Sequence, residues 1–340
     1  MLLLIPVLIG LFLAVNMGAS GTAPSFAAPL GANLIRRESV PGLFGLFVLL
    51  GAVVAGHKVV RTLSGEILPA SAMQAALVSI ILLAVALSLF FANLLRVPQS
   101  TSQSTVLALV GCAVYLDNLQ TNKLFTWIIP TWFAYPLVAF AITYLFARFF
   151  YRPLKKSERI NFDQVAVHPI WKYLTVASSC YVAFSIGSNN VANAAGPLSS
   201  LFSNVFQIPP GDPDFTLIGL AALIVVAPWF GIGSSLMGER VTRTTSQEIV
   251  LFGPLGATFI STLTATLLLL ASLTRGIPTS LVQLNTACII AIGMVKAGFK
   301  QTATETAVPR LLAVWAAAPV FAFACAYGLT ALADGLGWLR

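Results

Sequence analysis

The chain alternates long apolar runs with short polar segments from one end to the other. A helix needs about 20 predominantly apolar residues to cross a bilayer. The pattern therefore predicts an all-α polytopic membrane protein. The apolar runs cover approximately Leu2–Val15, Gly42–Gly56, Ala72–Leu95, Val106–Leu116, Trp127–Phe150, Trp171–Ile186, Leu217–Met237, Ile249–Leu273, Thr286–Val295 and Leu311–Leu332.

Two segments interrupt this pattern with small and polar residues. Phe184–Pro197 holds three Asn, two Ser, two Gly and one Pro within fourteen residues, and Asn16–Leu30 is rich in small residues. Non-helical backbone at membrane depth must be enclosed by protein or line a wet cavity. We therefore expect broken or re-entrant helices here, with half-helix N-termini that attract an anion.

The order of runs occurs twice, which predicts two repeats. Residues 1–150 form the first transmembrane repeat, residues 151–169 a basic linker, and residues 170–340 the second repeat. Gly56–Ile67 and Gly238–Ile249 are identical at seven of twelve aligned positions. Two weaker matches keep the same order along the chain: Val15–Ser20 with Phe184–Asn189, and Val97–Gln103 with Ile277–Gln283.

The basic residues predict how the repeats are oriented. With a cytoplasmic linker, Asp117–Lys123 falls outside and Lys296–Arg310 inside, as the positive-inside rule requires. Each repeat then has an odd number of spans. This is the inverted-topology plan of secondary transporters, whose substrate site lies where interrupted segments of both repeats meet.

Composition supports a membrane location. The chain is 58% hydrophobic and 9% charged, and its net charge of +8 comes from short loops between apolar runs. We expect the bilayer as the partner of the apolar surface, and no nucleic acid. The first fifteen residues lack a basic leader and a small-residue cleavage site, so we interpret them as a span and not as a signal peptide.

At Gly187–Ala194, followed by Gly196-Pro197, the sequence resembles the G-A-N-D-V-A-N-A signature of the inorganic phosphate transporter family. Pro98–Gln103 and, more loosely, Pro278–Gln283 resemble its P-x-S-T-T-H signature. The resemblance extends over nearly the whole chain and includes a bacterial sulfate permease branch. It implies a multi-pass protein of the bacterial plasma membrane that imports a tetrahedral oxyanion.

The chain departs from the family at the same positions in both repeats. The acidic positions are Gly21 and Asn190, and the histidine positions are Gln103 and Gln283. In the family, the acidic residues are associated with sodium coupling. Their absence argues against sodium and leaves the proton as the expected coupling ion, with no cofactor and no metal site.

A desolvated dianion needs many hydrogen-bond donors. We predict that the substrate-binding residues come from both breaks and both proline segments. They are Ser20, Gly21, Thr22, Asn189, Asn190, Asn193, Ser100, Thr101, Ser102, Gln103, Ser280 and Gln283. Arg61 and Arg243 occupy equivalent positions and are candidates for an anion clamp, although pairing with Glu66 and Glu248 is an equal alternative.

The missing carboxylates favour sulfate over phosphate. Hydrogen phosphate offers a proton that needs an acceptor, whereas sulfate only accepts hydrogen bonds. We predict a secondary active sulfate importer coupled to protons, and Glu239 is the first candidate to carry the proton, with His57 as another. A phosphate symporter of the same family stays open, and so does a homo-oligomer.

Two other functional classes fit the sequence less well. An enzyme would need a nucleophile with its base, or a metal cluster, and the sequence shows neither a Walker loop nor an H-E-x-x-H motif. An anion channel is the stronger rival because donor-lined breaks also build filters.

Overall fold

The computed structural model describes residues 3–95, 99–151, 153, 169–249, 253–298, 302 and 307–339, and for residues 151, 239–249, 253–254, 297 and 307–312 it describes the backbone only. Regular secondary structure in these residues is helical. The helices are α1 (Leu4–Gly31), α2 (Val40–Ala55), α3 (His57–Gly65), α4 (Ala75–Leu94), α5 (Thr101–Tyr115), α6 (Ile129–Phe146), α7 (Ile170–Asn190), α8 (Ala192–Phe206), α9 (Pro213–Val226), α10 (Pro228–Ile249), α11 (Gly253–Arg275), α12 (Leu281–Ala297) and α13 (Ala307–Gly335).

Seven helical stretches of the described chain are long and apolar enough to cross a membrane, as the apolar runs predicted. These are Leu4–Gly31, Arg37–Ala55, Ala75–Leu94, Thr121–Phe150, Pro213–Gly238, Leu255–Arg275 and Ala313–Gly335. The helices α5 and α12 are apolar but shorter. Large apolar side chains on the outside of the bundle are exposed, such as Phe133 and Leu137 on α6, which suits contact with lipid.

Helices α1–α6 and α7–α13 follow each other in a similar order. Gly56 separates α2 from α3, and Ala227 separates α9 from α10. In both places the interruption is a single residue with αR backbone angles. The proposed repeat limits and the inverted relation of the repeats stay predictions, and the linker from 154 to 168 lies outside the described residues.

Helices of the first half pack against helices of the second half. Helix α1 lies along α10, and α7 lies along α2. A Cβ atom built on Gly18 would collide with the main chain of Phe230, and one built on Gly187 would collide with the main chain of Val48. In the sequence alignment these two glycines are equivalent, so both crossings bring backbone against backbone at corresponding points.

The partner helix at each crossing, α2 or α10, also contributes a glycine. A Cβ on Gly51 of α2 would meet the main chain of Phe184, and a Cβ on Gly233 of α10 would meet that of Val15. Four glycines thus allow the central helices to approach closely. The contacts hold the middle of α1 and the end of α7 side by side at the centre of the bundle.

Of the two expected helix breaks, the structure shows the second and corrects the first. Helix α1 continues through residues 16–30 even though it contains Pro24 and Pro29. In the second stretch α7 ends at Asn190 and α8 begins at Ala192, although Val191 between them has a helical φ of −60° and ψ of −33°. The interruption is limited to this residue because surrounding protein encloses the polar side chains: Ser185, Ser188 and Asn189 are each 0% exposed and hydrogen-bonded.

Helix N-termini do point into the centre of the bundle, but they come from the proline segments. Ser100 and Ser280 have extended backbone angles and are the N-caps of α5 and α12. Each cap residue follows a proline two positions earlier, and the residue before a proline is biased away from helix. The proline segments therefore supply two helix N-termini at the centre of the bundle, where the sequence predicts such termini from the small-residue stretches.

Candidate functional site

A cleft at the centre of the bundle collects polar groups from four helices. It encloses about 340 Å³ of space not filled by atoms, part of it open to the outside. None of the described residues lining it carries a charged side chain. The lining residues are Ser20, Gly21, Pro24, Gln99, Ser100, Thr101, Ser102, Ile186, Asn190, Thr279, Ser280, Leu281 and Val282.

Two helix N-termini, those of α5 and α12, form opposite parts of this lining. The hydroxyl oxygen of Ser100 accepts a hydrogen bond from the amide of Gln103 at 3.3 Å, and that of Ser280 accepts one from the amide of Gln283 at 3.3 Å. A serine cap satisfies one of the free amides of a helix start and leaves others for a ligand. The partial positive charge of both helix N-termini therefore lies at the cleft.

Most of the predicted substrate-binding residues line this cleft. Seven of the twelve do so, drawn from α1, the C-terminal end of α7 and both proline segments. They are Ser20, Gly21, Asn190, Ser100, Thr101, Ser102 and Ser280. The sequence therefore located the cleft from residues that are more than 250 positions apart.

Asn190 lines the cleft and has an unsatisfied side-chain atom. The Oδ1 atom of Asn190 is buried and has no hydrogen-bond partner among the described residues. This is the family's acidic position. An amide there presents donors as well as an acceptor, while a carboxylate would present acceptors only.

Asn189 lies behind the cleft wall and is fully buried. Its Nδ2 atom donates to the hydroxyl of Ser272 and to the carbonyl of Ile277, both at 2.9 Å. Its Oδ1 atom accepts from the amide of Thr279 at 3.0 Å. Because these bonds occupy the amide, Asn189 positions the segment before α12 and does not line the cleft, contrary to the sequence prediction.

Thr22 and Asn193 also lie behind the lining. The hydroxyl of Thr22 donates to the carbonyl of Gly18 at 2.8 Å within α1. Asn193 donates from Nδ2 to the hydroxyl of Ser102 at 3.3 Å, and its Oδ1 atom is buried without a partner. Asn193 therefore supports a lining residue instead of forming the surface.

Gln103 and Gln283 bind each other across the two halves of the chain. Nε2 of Gln103 donates to Oε1 of Gln283 at 3.1 Å, and Nε2 of Gln283 donates back to Oε1 of Gln103 at 3.0 Å. This reciprocal pair joins α5 to α12 one turn inside their N-termini. The pair uses one of the two hydrogens on each Nε2, and neither residue lines the cleft, contrary to the prediction.

The charged candidates lie elsewhere. The side chain of Arg61 is 75% exposed and its Nε atom is 3.7 Å from Oε1 of Glu66, so it forms an ion pair and is not an anion clamp at the cleft. His57, at the start of α3, is exposed and does not line the cleft. The side chains of Arg243 and Glu239 lie outside the described residues.

Sequence reasoning missed Gln99 and Thr279 as lining residues. They occupy the same place in the two proline segments, directly before the cap serines. The repeat alignment could have indicated them, because a position beside a helix cap in both repeats faces the same cleft. Among the described residues, no group of three or more His, Cys, Asp or Glu residues could hold a metal ion.

Comparison with known proteins identifies the family. The family model described as "Phosphate transporter family" matches residues 17–326. The chain belongs to the phosphate transporter family. This transporter is thus an integral, multi-pass membrane protein, and it belongs to a family of permeases, not of enzymes.

Two relatives and one solved structure show how far the similarity extends. The transporter is 34% identical over 330 residues to the sulfate permease CysP of Bacillus subtilis, covering 96% of this chain and 86% of that one. It is 23% identical to a putative phosphate permease of Methanocaldococcus jannaschii, covering 93% and 92%. A structure entitled "The sodium-dependent phosphate transporter" superposes with a TM-score of 0.84 at 20% identity, covering 98% and 99%, which shows a shared fold.

Proposed function

We propose that this transporter imports sulfate. The observation that carries the proposal is the lining of the cleft, which combines two helix N-termini with hydroxyl and amide groups and contains no carboxylate. Sulfate at neutral pH accepts hydrogen bonds and has no proton to donate. Hydrogen phosphate needs an acceptor for its proton, and a lining without a carboxylate offers only neutral amide and hydroxyl oxygens for that proton.

The relatives support the same choice. The 34% identical protein is named a sulfate permease, whereas the phosphate permeases are more distant in sequence. At the family's acidic positions this chain has Gly21 and Asn190, and both line the cleft. Removing two carboxylates lowers the repulsion of a dianion and favours the ion that brings no proton.

We propose protons as the coupling ions. The lining offers no carboxylate to a sodium ion, which prefers oxygen ligands with negative charge nearby. It also offers no titratable group, so a coupled proton must be carried outside the lining. Helix α10 provides one place: Gly238 packs against Thr22, the neighbour of the lining residue Gly21, and Glu239 follows directly in the chain.

Uptake of labelled sulfate into proteoliposomes tests the proposal. We expect saturable uptake that unlabelled sulfate and thiosulfate inhibit more strongly than phosphate does. The Asn190→Asp variant should take up sulfate more slowly, and phosphate should inhibit the remaining uptake more strongly, because the variant returns a carboxylate to the cleft. Stronger inhibition by phosphate than by sulfate in the wild type would contradict the proposal, and unsaturable flux with large unitary currents would indicate a channel.

A further inference from the structure

Gln99 is a buried polar residue at the wall of the cleft that the roles described above do not explain. It is 3% exposed and lies in the extended segment directly before the cap residue Ser100. Its Nε2 atom is buried and has no hydrogen-bond partner among the described residues. A buried amide nitrogen without an acceptor is unfavourable, so a missing acceptor at this place needs an explanation.

Ser88 of α4 contacts the oxygen atom of the Gln99 side-chain amide. The hydroxyl of Ser88 donates to Oε1 of Gln99 at 3.2 Å, and both side chains are buried. The same hydroxyl lies 3.1 Å from the carbonyl oxygen of Ala318 on α13. A hydroxyl has one hydrogen to donate, so these two acceptors compete for it.

The competition links the amide to the kind of anion in the cleft. When Ser88 donates to Gln99, Oε1 is satisfied and the two hydrogens on Nε2 are left for another acceptor. When Ser88 donates to Ala318, its oxygen can accept from Nε2 of a turned amide, and Oε1 is then the free atom. An anion without a proton stabilises only the arrangement in which Nε2 is free to donate, because its oxygen atoms only accept hydrogen bonds.

We propose that Gln99 is a specificity-determining residue that donates from Nε2 to the bound anion, and that Ser88 is the positioning residue that fixes this orientation. The proposal rests on the proposed sulfate transport and adds to it a direct donor from the first proline segment. It makes the site selective for a fully deprotonated tetrahedral oxyanion.

Thr279, the equivalent residue in the second half of the chain, does not offer a matching donor. Thr279 stands where the first half has Gln99, but its hydroxyl donates to the carbonyl of Ile277 at 3.3 Å and its amide donates to Asn189 at 3.0 Å. Both groups are therefore occupied. The two halves contribute similar helix N-termini, and Gln99 gives the cleft a donor on one side only.

Sulfate binding by calorimetry to the purified full-length protein, over a range of pH, is the test. We expect Gln99→Leu to weaken sulfate binding by about tenfold or more, since it removes a hydrogen bond to a charged group, with little dependence on pH. Gln99→Glu should weaken binding more strongly near neutral pH and regain part of it in acid, because a protonated carboxyl group again offers a donor.

Variants on α4 separate positioning from general damage. Ser88→Ala should reduce the preference for sulfate over hydrogen phosphate, because Gln99 loses the donor that fixes its orientation. Ser79→Ala is the matched control: its hydroxyl donates to the carbonyl of Ala75 at 2.7 Å within the same helix, and we expect unchanged binding and preference. Thermal melting of each variant verifies folding.

The outcomes distinguish this proposal from the proposed function. If the wild type binds no sulfate, the proposed function fails and this proposal fails with it. If the wild type binds sulfate and folded Gln99→Leu and Gln99→Glu bind it equally well, sulfate transport stands and the role of Gln99 is refuted. A loss in Gln99→Glu that acid does not reverse would refute the donor role.

Discussion

The cap residues of α5 and α12 and the glutamines that follow them form one hydrogen-bonded network. Ser100 and Ser280 are helix caps at the cleft, and their S-x-x-Q spacing to Gln103 and Gln283 is a capping pattern that can be read from the sequence. In that pattern the glutamine reaches back to its own cap residue. Here the two glutamines bind each other instead, because the fold brings together two N-termini that are far apart in the chain.

Asn189 illustrates the same limit. The polar residues around Asn189 in the sequence correctly indicate a position at the centre of the protein. The direction of its side chain depends on Ser272 and Ile277, which are more than 80 positions away. No local pattern indicates which of two adjacent asparagines turns towards the cleft. The structure assigns Asn190 to the lining and Asn189 to the support behind it.

We predict that Asn189→Ala lowers both stability and sulfate affinity. It leaves the buried amide of Thr279 unpaired, at a cost of about 1–3 kcal/mol, removes one of the two donors to the carbonyl of Ile277, and loosens the segment that places Ser280. Thermal melting and calorimetric sulfate binding measure the two effects.

Asn204 provides the matched control for Asn189. It also ties a helix to distant main chain, through Nδ2 to the carbonyls of Ala70 at 2.6 Å and Met73 at 3.2 Å, but it does not line the cleft. Asn204→Ala should therefore lower stability while it preserves sulfate affinity. Equal affinity in both variants would contradict a positioning role for Asn189.

At the level of helices, the apolar runs predict the elements well, and the small-residue stretches predict the break between α7 and α8 but not the continuous course of α1. Small residues in both stretches also serve close helix crossings: Gly18 meets the main chain of α10, and Gly187 meets that of α2. A small-residue stretch at membrane depth is compatible with either use, and only the packing partner decides between them.

The crossings predict a large difference between glycine substitutions. Gly18→Ala and Gly187→Ala place a methyl group against a carbonyl of the crossing helix, so helices must separate at a cost of about 1–3 kcal/mol or more. Gly328 of α13 has open space around its Cβ position, and Gly328→Ala should be neutral or stabilising by about 0.5–1 kcal/mol. Thermal melting in detergent compares the three variants, and similar melting temperatures would contradict close packing at the crossings.

At the level of the whole molecule, the sequence predicted a family and a plan, and the comparisons confirm the family. The duplicated order of helices and the exchanged glycine contacts agree with two related halves. The sequence could not predict which helix ends would meet, because α5 and α12 contact the cleft through the packing of the entire bundle. The fold is shared with a solved structure of a phosphate transporter at 20% identity.

The driving force is a property of the whole molecule as well. Moving a dianion inwards against a negative membrane potential costs about 2.3 kcal/mol per charge for each 100 mV, so an accumulating carrier needs at least two accompanying cations for neutral transport. We predict that an acid-outside pH gradient drives sulfate accumulation in proteoliposomes, without sodium.

Glu239→Gln should abolish the dependence on the gradient, because it removes the titratable group that follows the contact of α10 with α1. Glu38→Gln, which neutralises an exposed carboxylate in a loop turn, should leave it intact. Accumulation that ignores the gradient in the wild type would contradict proton coupling, and gradient-driven uptake that survives in Glu239→Gln would assign the proton to another residue.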